Sequence, residues 1–211
     1  PIKLLIENYP EDKVEWIDAP YHPTDESLGS RKLPFSRELW IDSSDFMEDA
    51  PKKFFRLTPG REVRLRYAYF VKCTGVDKDK NGNIIQVRCT YDPESFGGKS
   101  PDGRKVKVTI HWLSAQHALP AELRMVDKLF TLEDPMSAED GDFKACVNPH
   151  SMDVLNGYVE PAMRDMANGY RCQFERMGYY CIDDDSTPDK LVFNRTVTMR
   201  DEWVQIQKQE G

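Results

Sequence analysis

Short runs of β-branched and aromatic residues, each closed off by turn chemistry, set what this chain can become. The clearest instance is Lys80-Asn81-Gly82-Asn83, which leads into Ile84 to Tyr91. Asn-Gly between alternating apolar runs favours a tight hairpin, because both residues tolerate the left-handed backbone such turns need. Pro101-Asp102-Gly103 predicts another turn before Val106 to Trp112,. Strand-like runs also cover Leu4 to Ile6, Val14 to Ile17, Leu39 to Ile41, Val63 to Val71 and Leu123 to Leu132. Tyr170 to Phe174, Tyr179 to Ile182 and Val192 to Met199 complete the set, and residues 20–36 read as a Pro/Gly/Ser-rich loop.

Helical signals are few. Asp42 could cap a turn or two as far as Asp49,. Pro161 to Asn168 starts on proline and has Gly169 just past its end, which predicts a short helix,. The expected class is mainly β, as small antiparallel barrels or a sandwich with a few short helices.

Hydrophobic residues make up 39% of the 211-residue chain and charged residues 31%, enough for a buried core and too many apolar side chains for a disordered tail,. No apolar run reaches the roughly 20 residues of a membrane helix, so no membrane partner is expected. Pro1 to Ile6 is too short for a secretory signal,. The chain opens without Met in strand-like sequence, which predicts an excised piece of a longer protein. Its five cysteines, at 73, 89, 146, 172 and 181, form no C-x-x-C pair. Reduced, mostly buried thiols in the cytoplasm are the expectation.

The net charge is −7, yet residues 52–72 set seven basic side chains against one acid, Glu62, for a local +6. Within Arg64-Leu65-Arg66-Tyr67, a strand would place Arg64 and Arg66 on one face and Val63, Leu65 and Tyr67 on the other,. The two guanidinium forks would then lie about 7 Å apart. Planar guanidinium donors suit phosphates and base edges, and Phe54, Phe55, Tyr67, Tyr69 and Phe70 are interleaved as candidate platforms for unpaired bases,. Charge pattern alone fits a solvated strand face with core aromatics equally well. An acidic remainder argues against sequence-blind duplex binding and suits recognition of a few exposed bases.

Several segments, in order along the chain, resemble the glutaminyl-tRNA synthetases. They are Leu5-Ile6-Glu7-Asn8-Tyr9, His22-Pro23 with Leu28-Gly29-Ser30-Arg31, and Pro34-Phe35-Ser36-Arg37-Glu38-Leu39-Trp40-Ile41. Phe55-Arg56-Leu57 follows, then Pro59 to Arg66, and Asp102 to Lys107 running to Ile110-His111-Trp112. Gln173-Phe174-Glu175-Arg176 and Phe193 to Val197 are the last. The resemblance implies two small β-barrels packed together, a distal one over 50–112 and a proximal one over 1–49 and 113–211. It implies that they grip the anticodon loop of the glutamine tRNA, whose middle base is U and third base G, with each base splayed out and read singly.

The family's contact residues carry over one at a time. Arg56 matches the arginine that reads the third base, and Phe55 stands where the family often has lysine. Arg64 and Arg66 match the pair near the first base. Gln173 matches the glutamine on the middle uracil, and Glu175 a supporting carboxylate. Lys52 and Lys53 fall in the same contact segment, Lys53 where some members have glutamine. Thr24 falls where a relative has asparagine. A further family arginine lies upstream of Pro1. The HIGH-type and KMSKS-type ATP signatures are absent from this stretch, so the resemblance places ATP, Mg²⁺ and glutamine activation in a Rossmann-type catalytic domain of the same polypeptide. It implies no catalytic residue and no cofactor here, and a monomeric protein. Two other readings stay open: the corresponding part of an archaeal or eukaryotic-type glutamyl-tRNA synthetase, and a stand-alone RNA- or protein-binding barrel. His22, His111, His117 and His150 are scattered without metal spacing, Ser36 and Ser114 lack a nucleophile elbow, and the acidic stretches at 133–142 and 183–189 read as solvated loops,.

Overall fold

The computed structural model describes residues 1–100, 102–137 and 142–199. Pro101 of the expected turn and residues 138–141 of the expected acidic loop lie outside the described residues. The architecture is mainly β, with one sheet a half-barrel, another strongly curled, and no helix of seven or more residues among the described residues. The chain divides into two compact units: Pro1–Leu119 with Tyr158–Met163, and Pro120–Gly157 with the chain from Arg164 onward.

The first unit holds β1 (Ile2–Ile6), β2 (Glu15–Pro20), β3 (Ser30–Phe35), β4 (Glu38–Ile41), β5 (Glu62–Leu65), β6 (Phe70–Lys78), β7 (Ile84–Asp92), β8 (Thr109–Ile110) and β9 (Leu113–Ser114). Seven of these form one sheet in the order β8-β5-β6-β7-β1-β4-β9, while β2 and β3 pair separately. Pairing is not purely antiparallel: β1 runs parallel to β7, and β5 to β8. Lys3 to Ile6 pair with Gln86 to Cys89, so both expected pieces share one sheet. Leu4, Ile6, Val87 and Cys89 are each 0% exposed and bury the same face into one core.

Tyr9, Phe35, Tyr69, Tyr91 and Trp112 meet in that core, with Tyr9 and Trp112 edge-on to Phe35 at 5.2 and 5.1 Å. The Glu15 carboxylate accepts hydrogen bonds from the Tyr9 and Tyr69 hydroxyls, each at 2.7 Å. Burial raises the Glu15 carboxyl, but Lys13 and the two hydroxyls outweigh it and hold the group below its usual range,. The same burial and the Glu15 contact push both tyrosines upward.

β3 falls inside the segment expected to be loop. Pro34 and the preceding polar residues mask the strand, in which Leu33, Pro34 and Phe35 are all buried,. Arg31 on β3 makes a two-armed ion pair with Glu160, whose Oε1 lies 2.7 Å from Nη2. Trp40 stacks on Tyr158 at 5.0 Å, so the Tyr158–Met163 segment is fastened to this unit by charge and by stacking,.

The second unit carries a five-stranded sheet in the order β11-β10-β14-β13-β12. Its strands are β10 (Leu119–Val126), β11 (Met152–Val159), β12 (Arg171–Phe174), β13 (Gly178–Ile182) and β14 (Leu191–Thr198), with β10 parallel to β14. Phe174 stacks on Tyr180 at 4.3 Å and leans on Phe193. The acidic loop at 183–189 is more than solvated surface. Arg124 bridges Glu122, Asp183 and Asp185 at 2.9, 3.3 and 2.7 Å, which ties the loop to β10.

Candidate nucleic-acid interface

The basic segment is built on a loop between β4 and β5. Asp42 caps a 3-10 turn, Ser43–Asp45, by accepting from the Ser44 amide at 2.7 Å. The Leu57 amide donates to the Asp45 carbonyl at 2.9 Å, and the Met47 amide to the Leu57 carbonyl at 3.1 Å. Phe54 and Leu57, 1% and 0% exposed, anchor the returning limb. Arg61, at the entrance to β5, donates one guanidinium nitrogen to the Phe54 carbonyl and, at 3.4 Å, to the Arg56 carbonyl. A side chain on the sheet thus straps down the backbone on both sides of Phe55.

The Arg56 side chain, 14% exposed, lies back against this fastened loop. Its Nε lies 3.6 Å from Oδ1 of Asp45, a carboxylate with 0% side-chain exposure. Nη1 donates to the Ser44 carbonyl at 3.1 Å and to its hydroxyl at 3.2 Å. The fork is therefore oriented before any ligand arrives, which lowers the entropy cost of a paired contact. Lys52 and Lys53 are exposed on the same loop.

Arg64 lies on β5 with Val63 and Leu65 both 0% exposed on the opposite face, so the alternation holds this far,. It then fails. The expected strand from Val63 to Val71 is a hairpin whose ladder stops at Leu65 and resumes at Phe70. Tyr67 takes a left-handed φ of 65°, and Leu65 accepts the turn-closing bond from the Ala68 amide at 2.9 Å,. Arg66 thus sits in a turn, held by Ile110 through its amide and by the Trp112 indole N–H through its carbonyl, at 3.1 and 2.9 Å. Its guanidinium lies 5.1 Å from the Tyr67 ring, so the strand-based spacing of two parallel forks does not apply.

Arg64 and Arg104 both lie against the Phe70 ring, at 5.4 and 5.2 Å. Arg104 is saturated by Glu62, Asp92 and Asp102, the Glu62 pair being two-armed at 2.8 and 2.9 Å. Those hydrogen bonds, Glu62 first, push its guanidinium pKa upward. The single acid of the 52–72 segment is consequently committed to Arg104, outside that segment. The Nε of Arg64 is buried with no hydrogen-bond partner among the described residues.

The remaining candidates lie elsewhere. Thr24 occupies the β2–β3 connection, where its amide and hydroxyl face His22 Nδ1 at 3.3 and 3.4 Å; no hydrogen bond or ion pair joins it to residues 52–66. Gln173 and Glu175 belong to the second unit. Gln173 is exposed on β12, the edge strand, where its amide donates to the Met199 sulfur at 3.1 Å. Glu175 follows directly in the tight turn to β13, beside Arg176 at φ 62°. Two contributors escaped sequence reasoning: Asp45, which orients Arg56, and Arg61 as a strap rather than a ligand. Arg61 was visible as a charge, but nothing in the sequence marks Asp45 as buried.

Two family models match, both described as the anticodon-binding domain of class I tRNA synthetases (E and Q), over residues 1–92 and 109–183. The chain belongs to this family. Among its relatives is a glutamine--tRNA ligase of Nitrobacter hamburgensis, 54% identical over 207 residues, covering 98% of the chain and 36% of the relative. Those of Pseudoalteromonas atlantica and Vibrio campbellii are 53% and 50% identical, covering 98% and 99% of the chain and 37% of each relative. The chain thus spans a little over a third of the length of the curated relatives it matches. No helix among the described residues is long and apolar enough to cross a membrane.

Proposed function

We propose that this chain is the anticodon-reading part of a glutamine--tRNA ligase, and that it selects the glutamine anticodon base by base. The observation that carries this reading is the Arg56 fork, oriented by buried Asp45 on a loop that Arg61 straps to the sheet. By exchanging its Ser44 bonds for the ligand, this guanidinium would bring paired donors to the two acceptors on guanine's Hoogsteen edge,. On β12, Gln173 offers both a donor and an acceptor, as uracil's pairing edge requires,. Arg64, Arg66, Lys52 and Lys53 supply backbone and first-base contacts, Glu175 supports Gln173, and Thr24 adds a polar contact from the β2–β3 connection.

In this reading the longer protein ligates glutamine to its tRNA with ATP and Mg²⁺ in a catalytic domain outside this chain, acting as a monomer in the cytoplasm. Among the described residues no three His, Cys, Asp or Glu side chains gather as a metal site. No chemical step is assigned to these residues; their work is discrimination.

The test is equilibrium binding to glutamine-tRNA anticodon stem-loops, cognate against single-base variants, at two salt concentrations. Weaker binding of the middle- and third-base variants at both salts is expected. Equal affinity for every loop sequence would contradict the reading.

A further inference from the structure

Phe54 and Phe55 stand side by side in sequence and are opposite in environment: Phe54 is 1% exposed and Phe55 60%. Single exposed apolar side chains are common on protein surfaces, so it is the setting of Phe55 that sets it apart. Other exposed aromatics of the first unit lean on a neighbour: Trp16 on His117, Tyr21 under Arg31, Phe96 on Tyr69. Phe55 makes no ring or cation contact among the described residues. Its mount, nevertheless, is rigid. Buried Phe54 precedes it, the Arg56–Asp45 pair follows, and Arg61 holds the carbonyls of both neighbours. Lys52 and Lys53, just before it on the same loop, are exposed.

We propose that the Phe55 ring is a stacking platform for one unpaired nucleobase of the bound RNA loop, a specificity-positioning contact beside the Arg56 fork. The inference rests on the anticodon-reading function proposed above. A neutral ring on a fixed backbone meets a base through its π face, which every base has, so it orders a splayed nucleotide without choosing its identity. Arg56, next along the chain, then reads an edge already held in plane.

The experiment uses the full chain and a glutamine-tRNA anticodon stem-loop in which each unpaired loop nucleotide is made abasic in turn. Wild type is compared with Phe55→Ala, Phe55→Leu and Phe55→Trp. Phe55→Ala should weaken binding roughly five- to a hundredfold, Phe55→Leu should recover little, and Phe55→Trp should restore affinity. One abasic position should cost the wild type that same factor and cost Phe55→Ala almost nothing. If wild type discriminates among anticodons while Phe55→Ala binds as tightly, or if Phe55→Leu restores affinity, the stacking role is overturned and the recognition function stands. If wild type shows no discrimination at all, both fall.

Discussion

Arg56 has two duties, and they separate by substitution. Its fork faces a carboxylate with no solvent exposure, so truncation removes a ligand-reading group and the partner of a buried charge together,. Arg56→Ala is expected to reduce discrimination at the third anticodon base by about 1–3 kcal/mol and also to lower the urea midpoint. Arg56→Lys keeps the charge beside Asp45, so it should recover part of the midpoint but not the discrimination. Gly98 offers a second dissection. A Cβ there would lie 2.6 Å from Arg64 Cδ, whereas at Gly97 it would meet nothing within 4 Å, and both residues have positive φ. Gly97→Ala and Gly98→Ala should each cost about 1 kcal/mol in backbone strain. Only Gly98→Ala should also weaken stem-loop affinity, by displacing the Arg64 stem. At this scale the sequence was readable where strand alternation holds, as with the inward Val63 and Leu65. It was not readable where environment decides: nothing distinguishes Phe54 from Phe55 before folding, and no rule of alternation anticipates a left-handed Tyr67.

Among elements, the ion pair between β3 and the Tyr158–Met163 segment has a pH signature. Burial raises the Glu160 carboxyl, but the Arg31 fork and His111 more than offset that and hold it at about 2, against 4.5 for the free group,. A depressed folded-state value means the stabilisation is present above the unfolded value and fades as pH falls toward 2,. That difference is worth on the order of 3 kcal/mol at neutral pH. Glu160→Gln should therefore be clearly less stable than wild type at pH 7, and the gap in urea midpoints should narrow steadily below pH 4.5. A gap independent of pH would mean that packing, not charge, holds the segment. Elements with strong local punctuation were legible. The Asn-Gly hairpin joins β6 and β7, Asp42 caps its turn, and Pro161 opens a 3-10 turn before Gly169 at φ 81°. β11 carries a glycine, Gly157, in its interior, which weakens any strand pattern in its sequence,. In the fold that glycine admits Leu123 of β10, whose Cδ1 would be 3.3 Å from an added Cβ,.

Taken whole, the molecule is an anion that presents a local cationic segment: −7 overall against +6 in residues 52–72. Attraction to RNA is then short-ranged and limited to a few phosphates. With three or four phosphates neutralised, log K should fall with log salt at a slope of about −2 to −3. Lys52→Ala should make that slope shallower by somewhat under one unit and weaken cognate and variant loops alike. A slope near zero would exclude ionic contact by this segment. The mainly β class was legible from turn spacing, but the parallel pairings of β1 with β7 and of β5 with β8 were not, because they join partners far apart in sequence.

That separation sets a timetable for biogenesis. β1 lies between β7 and β4, and the β7 side is closed by contacts such as that of Asn8 with Tyr91, 83 residues downstream. A ribosome elongating at about 5–20 residues per second would finish β1 on the order of ten seconds before its parallel neighbour emerged. Through that interval Leu4 and Ile6 have only the β4 side to pair with, and the nascent apolar edge is open to chaperones or to the same strand on a neighbouring chain,.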